Sequence, residues 1–94
     1  MPVQKVELVA AIAKILGVEP PRMSTGSTEP KEIFLLANDV LGLGLSADLS
    51  KPDLAKGIVE ASGGVWTATC ESRGGTVTAE GIDRVLTAVQ FFLA

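Results

Sequence analysis

The chain has 94 residues, a net charge of −3, 47% apolar residues, a single cysteine and neither histidine nor tyrosine. That apolar content excludes a disordered chain, and no run reaches the roughly 18–20 consecutive apolar residues of a membrane span, so no membrane partner is expected. The acidic balance excludes bulk electrostatic binding to nucleic acid, which needs a basic excess or stripe, but leaves room for a localised contact. The length suits one domain, residues 1–94, with a single core. Cys70 alone builds no internal disulfide, and the segment Met1–Lys5 lacks the apolar stretch of a secretory signal. A cytoplasmic location is therefore expected.

The first predicted helix runs from about Pro2 to Leu16, with Leu8, Ile12, Ile15 and Leu16 on one face and Gly17 as its left-handed cap. Pro20 and Pro21 then break the chain. A second helix starts near Thr28 or Glu29, buries Ile33, Leu36, Ala37, Val40 and Leu41, and ends at Gly42. Ser50-Lys51-Pro52-Asp53 is the cleanest start signal: a capping hydroxyl, a first-turn proline and an acid facing the positive helix end. This third helix presents Leu54, Ile58 and Ala61 and stops at Gly63-Gly64. Val65 to Cys70 alternates and is β-branched, which predicts a short hairpin or extended loop around Trp66–Thr78, with Trp66 laid over the neighbouring helices. The last helix opens at Thr78 and buries Ile82, Val85, Leu86 and Val89.

The plan occurs twice. Sliding the chain by 46 places pairs Leu8 with Leu54, Ile12 with Ile58 and Gly17 with Gly63. A slide of 48 pairs Ser24 with Ser72, Gly26 with Gly74 and Thr28 with Thr76, and a slide of 49 pairs Ile33 with Ile82 and Val40 with Val89. Such self-similarity fixes the architectural unit, here helix, Gly/Ser/Thr loop, helix. The expected fold is all-α, a four-helix domain from two pseudo-symmetric helix-loop-helix repeats, about residues 3–45 and 50–94.

Two constellations carry a functional reading. The loops 24–28 and 72–78 each place small and hydroxylated residues before a helix, where free backbone amides and the dipole favour an anion. Thr25, Ser27, Ser72, Arg73 and Thr76, aided by Lys31 and Lys51, are the candidate phosphate contacts. The plainer reading of each loop is a turn plus cap, because Glu29, Glu32, Glu80 and Asp83 already answer the helix dipoles. The second constellation is aromatic. Phe91-Phe92-Leu93 ends the last helix and Phe34 lies beside the second stripe, so these four are candidates for a partner interface. Glu71, Glu80 and Asp83 lack the histidine or paired cysteine that a zinc or nucleophile-plus-base site needs, so neither catalysis, metal nor cofactor is expected.

The string Ser50-Lys51-Pro52-Asp53-Leu54-Ala55, followed by Trp66 and then Cys70-Glu71-Ser72-Arg73-Gly74-Gly75-Thr76-Val77-Thr78, resembles small helical accessory modules attached to bacterial restriction endonucleases. The resemblance covers residues 50–89. It implies a non-catalytic appendage that positions a nuclease on DNA or helps it oligomerise; the nuclease's own acidic and lysine motif is absent. The preferred expectation is therefore a non-enzymatic, DNA-associated recognition module of a restriction-type DNA-processing protein, with duplex DNA as partner. The alternative is a protein–protein or homodimerisation module working through the aromatic end of the last helix, with a second copy or the remainder of a larger protein as partner.

Overall fold

Glycines set just past an apolar stripe decide where three of the helices stop. The computed structural model describes residues 5–19 and 31–93, with helices α1 (Lys5–Leu16), α2 (Lys31–Leu41), α3 (Lys51–Ala61) and α4 (Ala79–Leu93). Gly17, Gly42 and Gly63 take positive φ of 75°, 64° and 87°. Each donates its amide three residues back, to Lys14, Asp39 and Glu60, and the following residue donates five back, to Ala13, Asn38 and Val59. This is the Schellman closure, made three times, and it satisfies carbonyls that a helix end otherwise leaves bare. The α3 start is as the sequence predicts: Ser50 caps it, its Oγ accepting from the Asp53 amide at 3.4 Å, with Pro52 in the first turn. The predicted α2 start at Thr28 or Glu29 lies outside the described residues.

The helices form a ring. α1 packs on α2, α2 on α3, α3 on α4 and α4 on α1, with a weaker diagonal contact between α2 and α4. Exchanging the two halves maps this ring onto itself, as two helix-loop-helix repeats require. Side-chain burial shows where the repeat holds and where it slips. Leu8, Val9, Ile12 and Ala13 are buried in α1, and the residues 46 places on, Leu54, Ala55, Ile58 and Val59, are buried in α3.

In the second pair the predicted offset of 49 is wrong by one. α2 buries Ile33, Phe34 and Ala37, and α4 buries Gly81, Ile82 and Val85, an offset of 48 that continues the offset of the loops. The predicted α2 stripe is consequently rolled. Val40 is 43% exposed, Leu36 is half-buried, and Phe34 is wholly enclosed. The partner-interface assignment of Phe34 is thus corrected to core: it is the largest fully buried side chain, and the helix turns to enclose the larger apolar area. Ala61, expected inside, is exposed at the end of α3.

The α2–α3 connection folds back instead of spanning. The Asn38 side chain grips the Leu45 backbone with both functions: Nδ2 donates to its carbonyl and Oδ1 accepts from its amide, each at 2.9 Å. Leu45 then rests on Gly57, where an added Cβ would stand 2.9 Å from Leu45 Cδ1.

The Val65–Cys70 alternation does not make a strand. Ala68–Cys70 winds into a 3₁₀ turn, and a lone antiparallel bridge, Glu71 with Val77, is what remains of the expected hairpin. Among the described residues a strand there has no sheet to join, and a two-stranded ribbon is marginal by itself. The compact turn instead sinks Cys70 and Val77 completely onto α4. Trp66 is half-buried against the core, as expected, with its Nε1 donating to Glu71 Oε2 at 2.6 Å.

Two outcomes follow. Phe34→Ala should cost about 3–5 kcal/mol in urea unfolding, because a large buried ring leaves a cavity. Asn38→Ala should cost about 1–2 kcal/mol, since it leaves both polar groups of Leu45 without their partner. An Asn38→Ala midpoint equal to that of the native chain would remove the bridge from any structural role.

Candidate functional site

The crossover of residues 65–78 and the first turns of α4 hold the densest polar arrangement among the described residues. Its position depends on Gly81, where a Cβ would lie 2.3 Å from the Cys70 carbonyl oxygen and 2.7 Å from Val77 Cγ1. Only a residue without a side chain lets the 3₁₀ turn come this close to the helix. Thr78 joins the two elements: its amide donates to the Cys70 carbonyl (2.9 Å), its hydroxyl donates to the Thr69 carbonyl (2.7 Å), and its Oγ1 accepts from the Gly81 amide (3.2 Å) as an N-cap.

Glu80 then ties the crossover from the helix side. Its Oε2 accepts from the Thr69 hydroxyl at 2.6 Å, lies 3.9 Å from Cys70 Sγ, and pairs with Arg84 Nη2 at 3.5 Å. Arg84 reaches the far end of the same segment, with Nη1 donating to the Val65 carbonyl at 2.8 Å. Its Nε is buried with no hydrogen-bond partner among the described residues. Glu80 precedes Arg84 by four residues, the favourable order for a helical pair. The Thr69 hydroxyl, above all, holds the Glu80 carboxyl below its ordinary value; desolvation, next in size, pushes it up, and the Arg84 charge and hydrogen bond draw it further down.

The predicted phosphate contacts fare unequally. Thr25 and Ser27 lie outside the described residues. Ser72 and Thr76 face each other across a tight turn, their hydroxyls in a short mutual hydrogen bond, with the Ser72 amide donating to the Thr76 carbonyl at 3.0 Å. Gly75, at φ +75°, closes the turn through its amide to the Ser72 carbonyl (3.2 Å). Arg73 stands exposed at the tip. Lys31 and Lys51 begin α2 and α3 and are half-buried. The structure therefore joins Ser72, Arg73 and Thr76 on one turn and sets the two lysines on separate helices.

Of the predicted interface residues, Phe91 is 65% exposed, Leu93 is 45% exposed and Phe92 is half-buried. The two rings meet edge to face, with centroids 5.6 Å apart. A shallow cleft of about 240 Å³ opens between the end of α3 and α4, with Val59, Val65, Arg84 and Ala88 in its walls. Among the described residues no three acids, cysteines or histidines gather as a metal site, and no helix is long and apolar enough to cross a membrane.

Sequence reasoning missed Asn38, Thr69 and the Glu80–Arg84 pair. The i,i+4 spacing of Glu80 and Arg84 was a readable signal; the approach of Thr69 and the Val65 carbonyl was not, because it depends on the crossover landing on α4. The chain matches no protein-family model, no curated protein and no solved structure.

The sign of the Glu80 effect is fixed by its lowered carboxyl. Its stabilisation is complete above the ordinary carboxylate value and is lost as pH falls through the lower folded value. Glu80→Gln should flatten that acid-side loss in a series of urea midpoints across pH 2–6 (about the carboxylate range). Parallel curves for the variant and the native chain would contradict it.

Proposed function

We propose that the chain is a non-enzymatic interaction module that meets another protein surface through the end of α4, the first partner to test being a second copy of itself. The observation that carries this reading is the exposure of Phe91, its ring edge to face with Phe92, in the last turn of a helix whose inner face is committed to the core. A large aromatic left in water costs apolar hydration that a contact removes, and aromatics are enriched where interfaces form.

A second reading, phosphate contact with duplex DNA, is favoured by one feature: Arg73 at the exposed tip of the Ser72–Thr76 turn, with no heavy atom near the position of a Gly74 Cβ. A guanidinium on an open turn suits a backbone phosphate, and contacts of this kind fix register without reading sequence. The acidic net charge weighs against it.

Light scattering during size exclusion separates the two. The interface reading expects a species above the 9.7 kDa monomer that reverts to monomer in Phe91→Asp. A native chain that stays monomeric at high concentration sinks self-association. The phosphate reading expects binding to a short duplex that weakens steeply with salt and is lost in Arg73→Ala.

A further inference from the structure

Arg84, Thr87, Ala88 and Phe91 follow one line along α4. They stand three, four and seven residues from Arg84, and seven residues bring a helix back to within about 20° of its starting direction. The first three are the α4 wall of the cleft that Val59 and Val65 border on the other side. Phe91, 65% exposed, therefore continues the line of the cleft one turn beyond it. Leu93 points about 200° away from Phe91 and belongs to another face.

The cleft suits an apolar ring. Its hydroxyls are spent within the chain: Ser62 donates to the Val59 carbonyl at 2.7 Å and Thr87 to the Asp83 carbonyl at 3.1 Å. The Val65 side chain is itself 65% exposed, while its carbonyl is taken by Arg84. An apolar group entering there covers Val65 and leaves those polar groups with their partners. Arg84 is held by the edge of its guanidinium, at the Val65 carbonyl and at Glu80, and 37% of its side chain stays exposed. A guanidinium fixed by its edge keeps its flat face for an aromatic ring. A cavity of about 150 Å³ takes benzene, so a cleft of about 240 Å³ has room for the ring of a phenylalanine.

We propose that two copies of this chain pair through antiparallel α4 helices and exchange Phe91, each ring entering the α3–α4 cleft of the other copy to lie against Arg84 and Val65. This pairing rests on the self-association through the end of α4 proposed above. A two-fold axis passing between Thr87 and Ala88 sets Phe91 of each copy opposite Arg84 of the other. One operation then fills both clefts and closes the assembly at two copies. The short side chains of Thr87 and Ala88 let the helices come close where they cross. Charge agrees with this arrangement. Arg84 is the only basic residue of α4, and the helix carries no charged side chain beyond it. Each cation thus meets the uncharged, negative dipole end of the opposing helix. Glu80 and Asp83 lie toward or beyond the last residues of that helix, so acid does not face acid.

The test is complementation by mixing, read by sedimentation velocity over a range of concentrations. Phe91→Glu and Val65→Lys each put a charge into both contacts of the pair, and each should weaken the dimer roughly tenfold or more. Mixed in equal amounts, the two variants should pair again. A mixed dimer keeps one native Phe91–Val65 contact and brings the two new, opposite charges together in the other. Leu93→Glu, on the other face, should dimerise as the native chain does. All three positions are exposed, so the far-ultraviolet circular dichroism of each variant should match that of the native chain. A native chain that is monomeric at every concentration, or a dimer that survives Phe91→Glu, overturns self-association through Phe91 and the exchange with it. A native dimer that Phe91→Glu dissociates and Val65→Lys does not keeps self-association and overturns the entry of the ring into the cleft. So do two dissociated variants that stay apart when mixed, or a Leu93→Glu chain that no longer pairs.

Discussion

The contact on which the second half of this protein turns is the approach of the Cys70 carbonyl to Gly81. A methyl group at position 81 would sit 2.3 Å from that oxygen, so the 3₁₀ turn rests on the helix only because no side chain intervenes. From that approach follow the burial of Cys70 and Val77, the double use of Thr78 as helix cap and loop anchor, and the reach of Glu80 to Thr69. None of these is strong alone; neutral hydrogen bonds contribute about 1 kcal/mol net. They act together because one geometry satisfies all of them.

The first half solves the corresponding problem differently. There the connection between α2 and α3 is held by Asn38, which satisfies both polar groups of Leu45, and Gly57 leaves room for the Leu45 side chain. Close approach at a glycine thus anchors a connecting segment twice, at Gly57 and Gly81, on the second repeat's helices. The repeat is held most closely in the matched core positions of α1 and α3, whereas in α2 and α4 the burial pattern repeats but the volumes differ. Phe34 corresponds by burial to Ile82, so α2 brings a larger ring to the centre than α4 does at its counterpart.

α4 carries the most varied duties. It touches each of the other helices and the 3₁₀ turn. Its inner face is spent on Ile82, Val85, Ala88 and Val89, its first turns on the crossover, and its last turn presents Phe91 and Leu93 outward. Two exposed features therefore sit on one stretch of chain: a guanidinium turn before the helix and an aromatic in its last turn.

The sequence by itself determined the helices and their ends. Apolar spacing, Ser50 before Pro52, and Gly17, Gly42 and Gly63 past their stripes are local signals, set by backbone conformation and hydrogen bonds within a few residues, and local signals can be read in order. The two-repeat, all-α architecture was legible for the same reason. The tertiary structure alone decided which face of α2 turns inward, because Phe34 and Leu36 compete for the same core and only the packed neighbours award the place to the larger ring. It decided that Val65–Cys70 coils and does not extend, since a strand needs a sheet to join and the described residues supply none. It also decided the polar site, in which Thr69, Glu80 and Arg84 are up to 15 residues apart and meet only because Gly81 lets the chain fold back upon itself.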